Sequence, residues 1–180
     1  MKPTPRRPFY QSTDILSLDV IPVEAYSPFA EKFFTDAKRP FSPEVFSRLY
    51  HRFEGVTWCV QSVLNHIWGE GGGLEVDRDV EDAVDGLVED RAMTFHDLME
   101  SQTDVGRNLL KAIAAEGAVS EITAGAFLSR HGLVAPSSVR AALPGLLEHD
   151  LVYRSPCGYI VYDYLLAEYL RLTRTGRNVF

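Results

Sequence analysis

Ser137-Ser138-Val139-Arg140-Ala141-Ala142-Leu143-Pro144-Gly145-Leu146-Leu147-Glu148-His149-Asp150-Leu151-Val152-Tyr153-Arg154-Ser155-Pro156-Cys157-Gly158-Tyr159-Ile160-Val161-Tyr162 changes its hydrophobic period midway. In the first half, Val139, Ala142, Leu143, Leu146 and Leu147 recur at spacings of three and four, the repeat of one helical face. Pro144 and Gly145 limit the regularity of that helix, because proline lacks the backbone donor and glycine costs conformational entropy. In the second half, Leu151-Val152-Tyr153-Arg154 and Tyr159-Ile160-Val161-Tyr162 flank the turn Ser155-Pro156-Cys157-Gly158, which predicts two short strands in a β-hairpin.

Upstream of this stretch, residues 104–115 read as a helix and Gly117 breaks it. Residues 120–129 read as a short helix that ends before Gly132. Three helices followed by a hairpin is the order of a winged helix-turn-helix. An amphipathic closing helix is expected over 163–172.

The N-terminal part is organised differently. Residues 1–13 are rich in proline and basic residues and read as a lead-in, and 13–21 alternates apolar with polar as an extended segment does. Over 22–36, Val23, Tyr26, Phe29, Ala30, Phe33 and Phe34 share one helical face. Ser42-Pro43-Glu44 supplies an N-cap with proline at the first helical position, and Val45, Phe46, Leu49, Tyr50 and Phe53 continue as an apolar stripe up to Gly55. A third helix is expected over 56–68, where Val56, Cys59, Val60, Val63, Leu64 and Ile67 face one way and Trp58 and Trp68 widen the surface. After Gly69-Glu70-Gly71-Gly72-Gly73, an acidic fourth helix begins near Asp77 and carries Val80, Ala83, Val84 and Leu87. The expected fold class is therefore mainly α: a lead-in at 1–13, a helical domain at 14–102 and a winged-helix domain at 103–180.

Apolar residues make up 46% of the 180 and charged residues 24%, enough apolar material for a core. No apolar run approaches the roughly 18–20 residues of a membrane span, and no signal-peptide core follows Met1, so the expectation is a cytoplasmic chain with no membrane partner. The net charge is -7, and residues 70–103 hold 11 acids against 2 bases. Residues 1–69 hold 8 bases and 7 acids, and 104–180 also hold 8 and 7. The acidity is thus local, and the final third can still present a basic surface.

Little in the sequence points to catalysis. Cys59 and Cys157 form no CxxC and read as two inert thiols; the five histidines form no HExxH, and His66 with Glu70 falls where a helix should end. No catalytic, cofactor-binding or metal-ligating residue is assigned. Asp85, Glu89 and Asp90 read as a solvated face. If the winged helix contacts double-stranded DNA, the candidate residues are Ser137, Ser138 and Arg140 at the start of its third helix and Arg154 in the wing.

Several pieces together resemble the region that follows the nucleotide-binding core in archaeal-type and bacterial P-loop ATPases of the AAA+/STAND superclass. They are Arg7-Pro8-Phe9-Tyr10, Phe53-Glu54-Gly55 with Trp58, Asn108-Leu109-Leu110-Lys111-Ala112-Ile113-Ala114, Ser137-Ser138-Val139-Arg140-Ala141-Ala142-Leu143 with Leu146-Leu147, and Tyr159-Ile160-Val161-Tyr162-Asp163 with Leu165 and Tyr169-Leu170. The resemblance implies a helical lid followed by a winged helix. It also implies a non-catalytic role coupling nucleotide state to a partner or to DNA, with an ATPase core domain or another protein as the protein partner.

The chain has no GxxxxGK[ST] phosphate loop, because Gly69-Glu70-Gly71-Gly72-Gly73 lacks both lysine and hydroxyl. No apolar strand ends in paired acids. Gly55-Val56-Thr57-Trp58 offers no sensor arginine; Arg52 is the nearest and reads as a solvated helix surface. Pro8-Phe9-Tyr10 continues with Gln11-Ser12 where the family often has Gly-Arg. The expectation is therefore a chain that hydrolyses no ATP itself. The other reading is a free-standing winged-helix DNA-binding protein of the transcription-regulator kind.

Overall fold

A computed structural model describes residues 20–174. The lead-in at 1–13, the Arg7-Pro8-Phe9-Tyr10 piece and most of the 13–21 run lie outside the described residues. Eight helices and one hairpin follow in order: α1 (Val23–Asp36), α2 (Pro43–Arg52), α3 (Thr57–Gly69), α4 (Asp77–Glu100), α5 (Asp104–Glu116), α6 (Gly125–His131), α7 (Pro136–Glu148), β1 (Val152–Ser155), β2 (Gly158–Val161) and α8 (Tyr164–Arg174). The fold is mainly α, as the hydrophobic periods predict.

Side-chain caps set four of the helix starts. The Ser42 hydroxyl accepts from Val45 N at 3.3 Å and Pro43 occupies the first turn of α2. A carboxylate oxygen of Asp79 accepts from the amides of Glu75 and Val76 at 2.7 and 2.9 Å, closing the start of α4. Thr103 Oγ1 accepts from Gly106 N at 3.1 Å ahead of α5. Asp163 Oδ1 accepts from Leu165 and Leu166 at 2.8 and 3.2 Å, so it caps α8 from just outside the helix.

Three expectations need correction. In α1 the core takes only the ridge Tyr26, Ala30 and Phe34, while Phe29 and Phe33 stand 57% and 54% exposed. The apolar stripe is wider than the surface that α2 and α3 offer, so one flank is left over. The second difference concerns α6, expected over 120–129 and found at Gly125–His131. Val119 is drawn into an antiparallel bridge with Tyr159, through hydrogen bonds of 3.0 and 2.9 Å, and the chain must turn through 121–124 before a helix can start. That bridge gives the hairpin a third, one-residue strand.

The hairpin pairs Val152 with Val161 and Ser155 with Gly158, leaving Pro156 and Cys157 as its tip. Pro144 does not end α7; the helix runs through it to Glu148. Pro144 is exposed, so the carbonyl of Arg140 that it cannot donate to faces water.

The buried residues form one continuous cluster reaching from α1 to α8. α4 packs against α3 and also against α8, and α8 packs against α5 and β2. Phe95 of α4 meets Tyr169 of α8 with ring centroids 5.5 Å apart, and the fully buried Phe53 meets Tyr164 edge-on at 6.0 Å. Polar contacts follow the same seam. The Tyr164 hydroxyl donates to Glu54 at 3.0 Å, and Arg52 pairs with Glu168 at 3.2 Å. Arg52 is thus the third correction, a tie between α2 and α8 where the sequence suggested a solvated surface. A short turn joins α4 to α5, and the core runs on across it.

Gly158 has φ +133°, and a Cβ there would lie 2.4 Å from the carbonyl carbon of Val119. Gly158→Ala is expected to cost roughly 1–3 kcal/mol, lowering the melting temperature by about 2–4 °C per kcal/mol. Gly125→Ala, with open space around its Cβ, should be neutral or mildly stabilising. Calorimetry of the two variants checks this, and equal melting temperatures would remove the assigned role of the Val119 contact.

Candidate functional site

The exposed face of α7 is the surface that a helix-turn-helix offers to a partner. The core holds this helix by Val139 and Leu146, which are fully buried, with Leu143 and Leu147 partly buried beside them. Their spacing leaves Ser137, Arg140, Ala141, Pro144 and Glu148 outward. Gly132, with φ +64°, ends α6 in the left-handed conformation and starts the turn into α7. Val134 lies in that turn and is 92% exposed.

The structure brings Ser137, Ser138 and Arg140 together at the start of α7. Ala135 precedes the helix and gives no side-chain cap, and neither serine makes a side-chain hydrogen bond among the described residues. Ser138 is half-buried, whereas Ser137 and Arg140 are exposed. Arg154 sits on a different element, in β1 opposite Tyr159, with its guanidinium 5.8 Å from that ring centroid. Neither arginine enters an ion pair among the described residues. The wing tip, Pro156 and Cys157, carries no charge. At the far end of α7, Glu148, His149 and Asp150 are exposed.

A second constellation, on the neighbouring helices, is one that sequence reasoning missed. Glu116, at the end of α5, accepts from Arg130 and lies 2.8 Å from His131 Nε2. His131 has a side chain only 5% exposed, with its ring 4.9 Å from that of Phe127. Fifteen residues separate Glu116 from His131, so no short motif could have announced the pair. Asn108 and Lys111, three apart on α5, line a hollow of about 210 Å³ with Ala112, Arg130 and His131.

The thiols differ. Cys59 is fully buried and its thiol is pushed up to about 12, chiefly by burial, with the charge of Asp163 adding and Arg91 opposing. Cys157 is exposed. Among the described residues no three His, Cys, Asp or Glu side chains gather where they could hold a metal ion, and no helix is long and apolar enough to cross a membrane. A larger hollow, about 540 Å³ and mostly apolar, lies between α1 and α3 and includes Phe29, Phe33 and Trp68.

Comparison with known families agrees with this geometry. A family model described as "Probable winged helix domain" matches residues 93–172. The match begins inside α4 and ends inside α8, so it takes in α5, α6, α7 and the hairpin together with the two helices that clasp them. No curated protein matches the chain. The chain therefore carries a winged helix domain within a mainly α fold.

Hydrogen bonds from His131 first and Arg130 second hold the Glu116 carboxyl below the usual carboxylate range. A carboxylate depressed in the folded state stabilises fully above the unfolded glutamate value of about 4.3 and loses that stabilisation as pH falls through its lower folded value. Wild type is expected to be more stable than Glu116→Gln at neutral pH, with the difference shrinking on acidification below about pH 5. Urea midpoints of both proteins across that range check this, and a gap that stays constant to about pH 3 would show that Glu116 is not the titrating group.

Proposed function

We propose that the chain is a non-catalytic coupling module whose winged helix meets a protein partner through α7. The observation that supports this most is the makeup of the exposed surface around that helix. Val134, Ala141 and Pro144 are small or apolar, Arg140 is the one cation of α7, and the helix closes on Glu148 and Asp150. Such a surface suits protein packing, where apolar groups bury area and a single arginine anchors. It suits the phosphate backbone less well. Two phosphate contacts, from Arg140 and Arg154, would give a slope of only about -2 in log affinity against log salt, whereas a protein making 6–10 contacts has a several-fold steeper dependence.

The particular partner we propose is the nucleotide-binding core of a P-loop ATPase. That choice is supported by the resemblance of the quoted residues, and by the continuous core through α4 and α8, which would let a displacement of the helical part reach α7. Because the phosphate loop is missing from the chain, the purified chain is expected to hydrolyse no ATP. An in-frame GxxxxGK[ST] in the DNA upstream of Met1 would supply the core for testing. Co-elution of the two on size exclusion, weakened by Ala141→Asp on the exposed face of α7, is the expected result, and co-elution indifferent to that variant would remove α7 from the interface.

Double-stranded DNA is the second reading, favoured by the exposure of Arg140 and Arg154 without ion pairs among the described residues. In a mobility-shift titration at about 50 mM salt, the protein reading expects no duplex shift that depends on these arginines. A salt-sensitive shift abolished in the Arg140→Ala, Arg154→Ala double variant would decide for DNA.

A further inference from the structure

We propose that the hollow between α5 and α6 is an anion site that takes a phosphate group. Its lining combines Asn108, Lys111, Ala112, Arg130 and His131 around about 210 Å³, enough to admit a tetrahedral oxyanion together with water. The lining contains an amide and three groups able to carry positive charge, and no acid. Glu116, the carboxylate that pairs with Arg130 and His131, is not among the lining residues.

The three basic groups have different parts. Lys111 is exposed and enters no ion pair among the described residues, so its ammonium is available to a ligand. Arg130 is oriented through one terminal nitrogen, which donates to Glu116, and its planar fork has further N–H groups to offer. Glu116 thereby holds Arg130 and His131 side by side at the end of α6. Ala112 is buried and forms an apolar floor. A phosphate dianion can accept from Lys111, Arg130 and Asn108 at once, and charge-assisted bonds of this kind are roughly twice as strong as neutral ones. The site stands independently of whatever α7 contacts.

The test titrates inorganic phosphate into the full chain and follows backbone amide resonances by NMR. The expected result is a saturable shift centred on Asn108, Lys111 and Arg130, weakened about tenfold in Lys111→Ala, the loss of one charge-assisted bond. Lys111 is exposed, so this variant should fold, and Lys111→Arg should keep binding because it keeps the charge. Scattered, non-saturating shifts, or a Lys111→Ala titration identical to wild type, would overturn the proposal. Adding a short DNA duplex to the phosphate-loaded protein identifies the source. Displacement of phosphate assigns the site to a nucleic-acid backbone, and its retention assigns it to a free phosphate or phosphorylated small molecule.

Discussion

The apolar face of α8 is the element on which the rest of the molecule closes. Leu165, Leu166, Ala167, Tyr169 and Leu170 are all buried, and they face α4, α5 and β2. Deleting one such buried leucine typically costs 2–5 kcal/mol, of the same order as the whole stability of a small domain. Without α8, the C-terminal half of α4 and the inner faces of α5 and the hairpin would stand in water together. Asp163 fixes where this helix begins, and Arg171 donates to the Ala114 carbonyl at 2.7 Å, tying the far side to α5.

The same packing presents the surface through which the protein would act. α7 is held from behind by Val139 and Leu146, so its outward residues depend on the α5 contact for their direction. What α7 presents is small, nearly uncharged and bordered by Glu148 and Asp150, and the proposed protein contact rests on that makeup. The neighbouring α5 and α6 carry more basic side chains, with Glu116 paired to Arg130 and His131 and Lys111 outside that pair.

Part of this was legible from residue patterns. α2, α5 and α8 show clear helical periods, and the hairpin follows from two β runs around Pro156 and Gly158. The start of α6 was not legible, because it depends on Val119 bonding to Tyr159 forty positions later in the chain. Nor was the fate of Phe29 and Phe33, since a period identifies a face but not how much of it a neighbour will cover. Of the four residues singled out for DNA, Ser137, Ser138 and Arg140 do share the start of one helix. Arg154 belongs to the hairpin, and its contact is with the ring of Tyr159.

By itself the sequence determined the order of elements and their type, because periodicity, proline and glycine act within a few residues. Tertiary structure alone decided which apolar residues were covered and which charges met. Arg52 and Glu168 lie 116 residues apart, and Glu116 finds His131 only when α6 packs beside α5. Such pairs leave no trace in local spacing, since the energy that brings them together is the burial of other residues entirely.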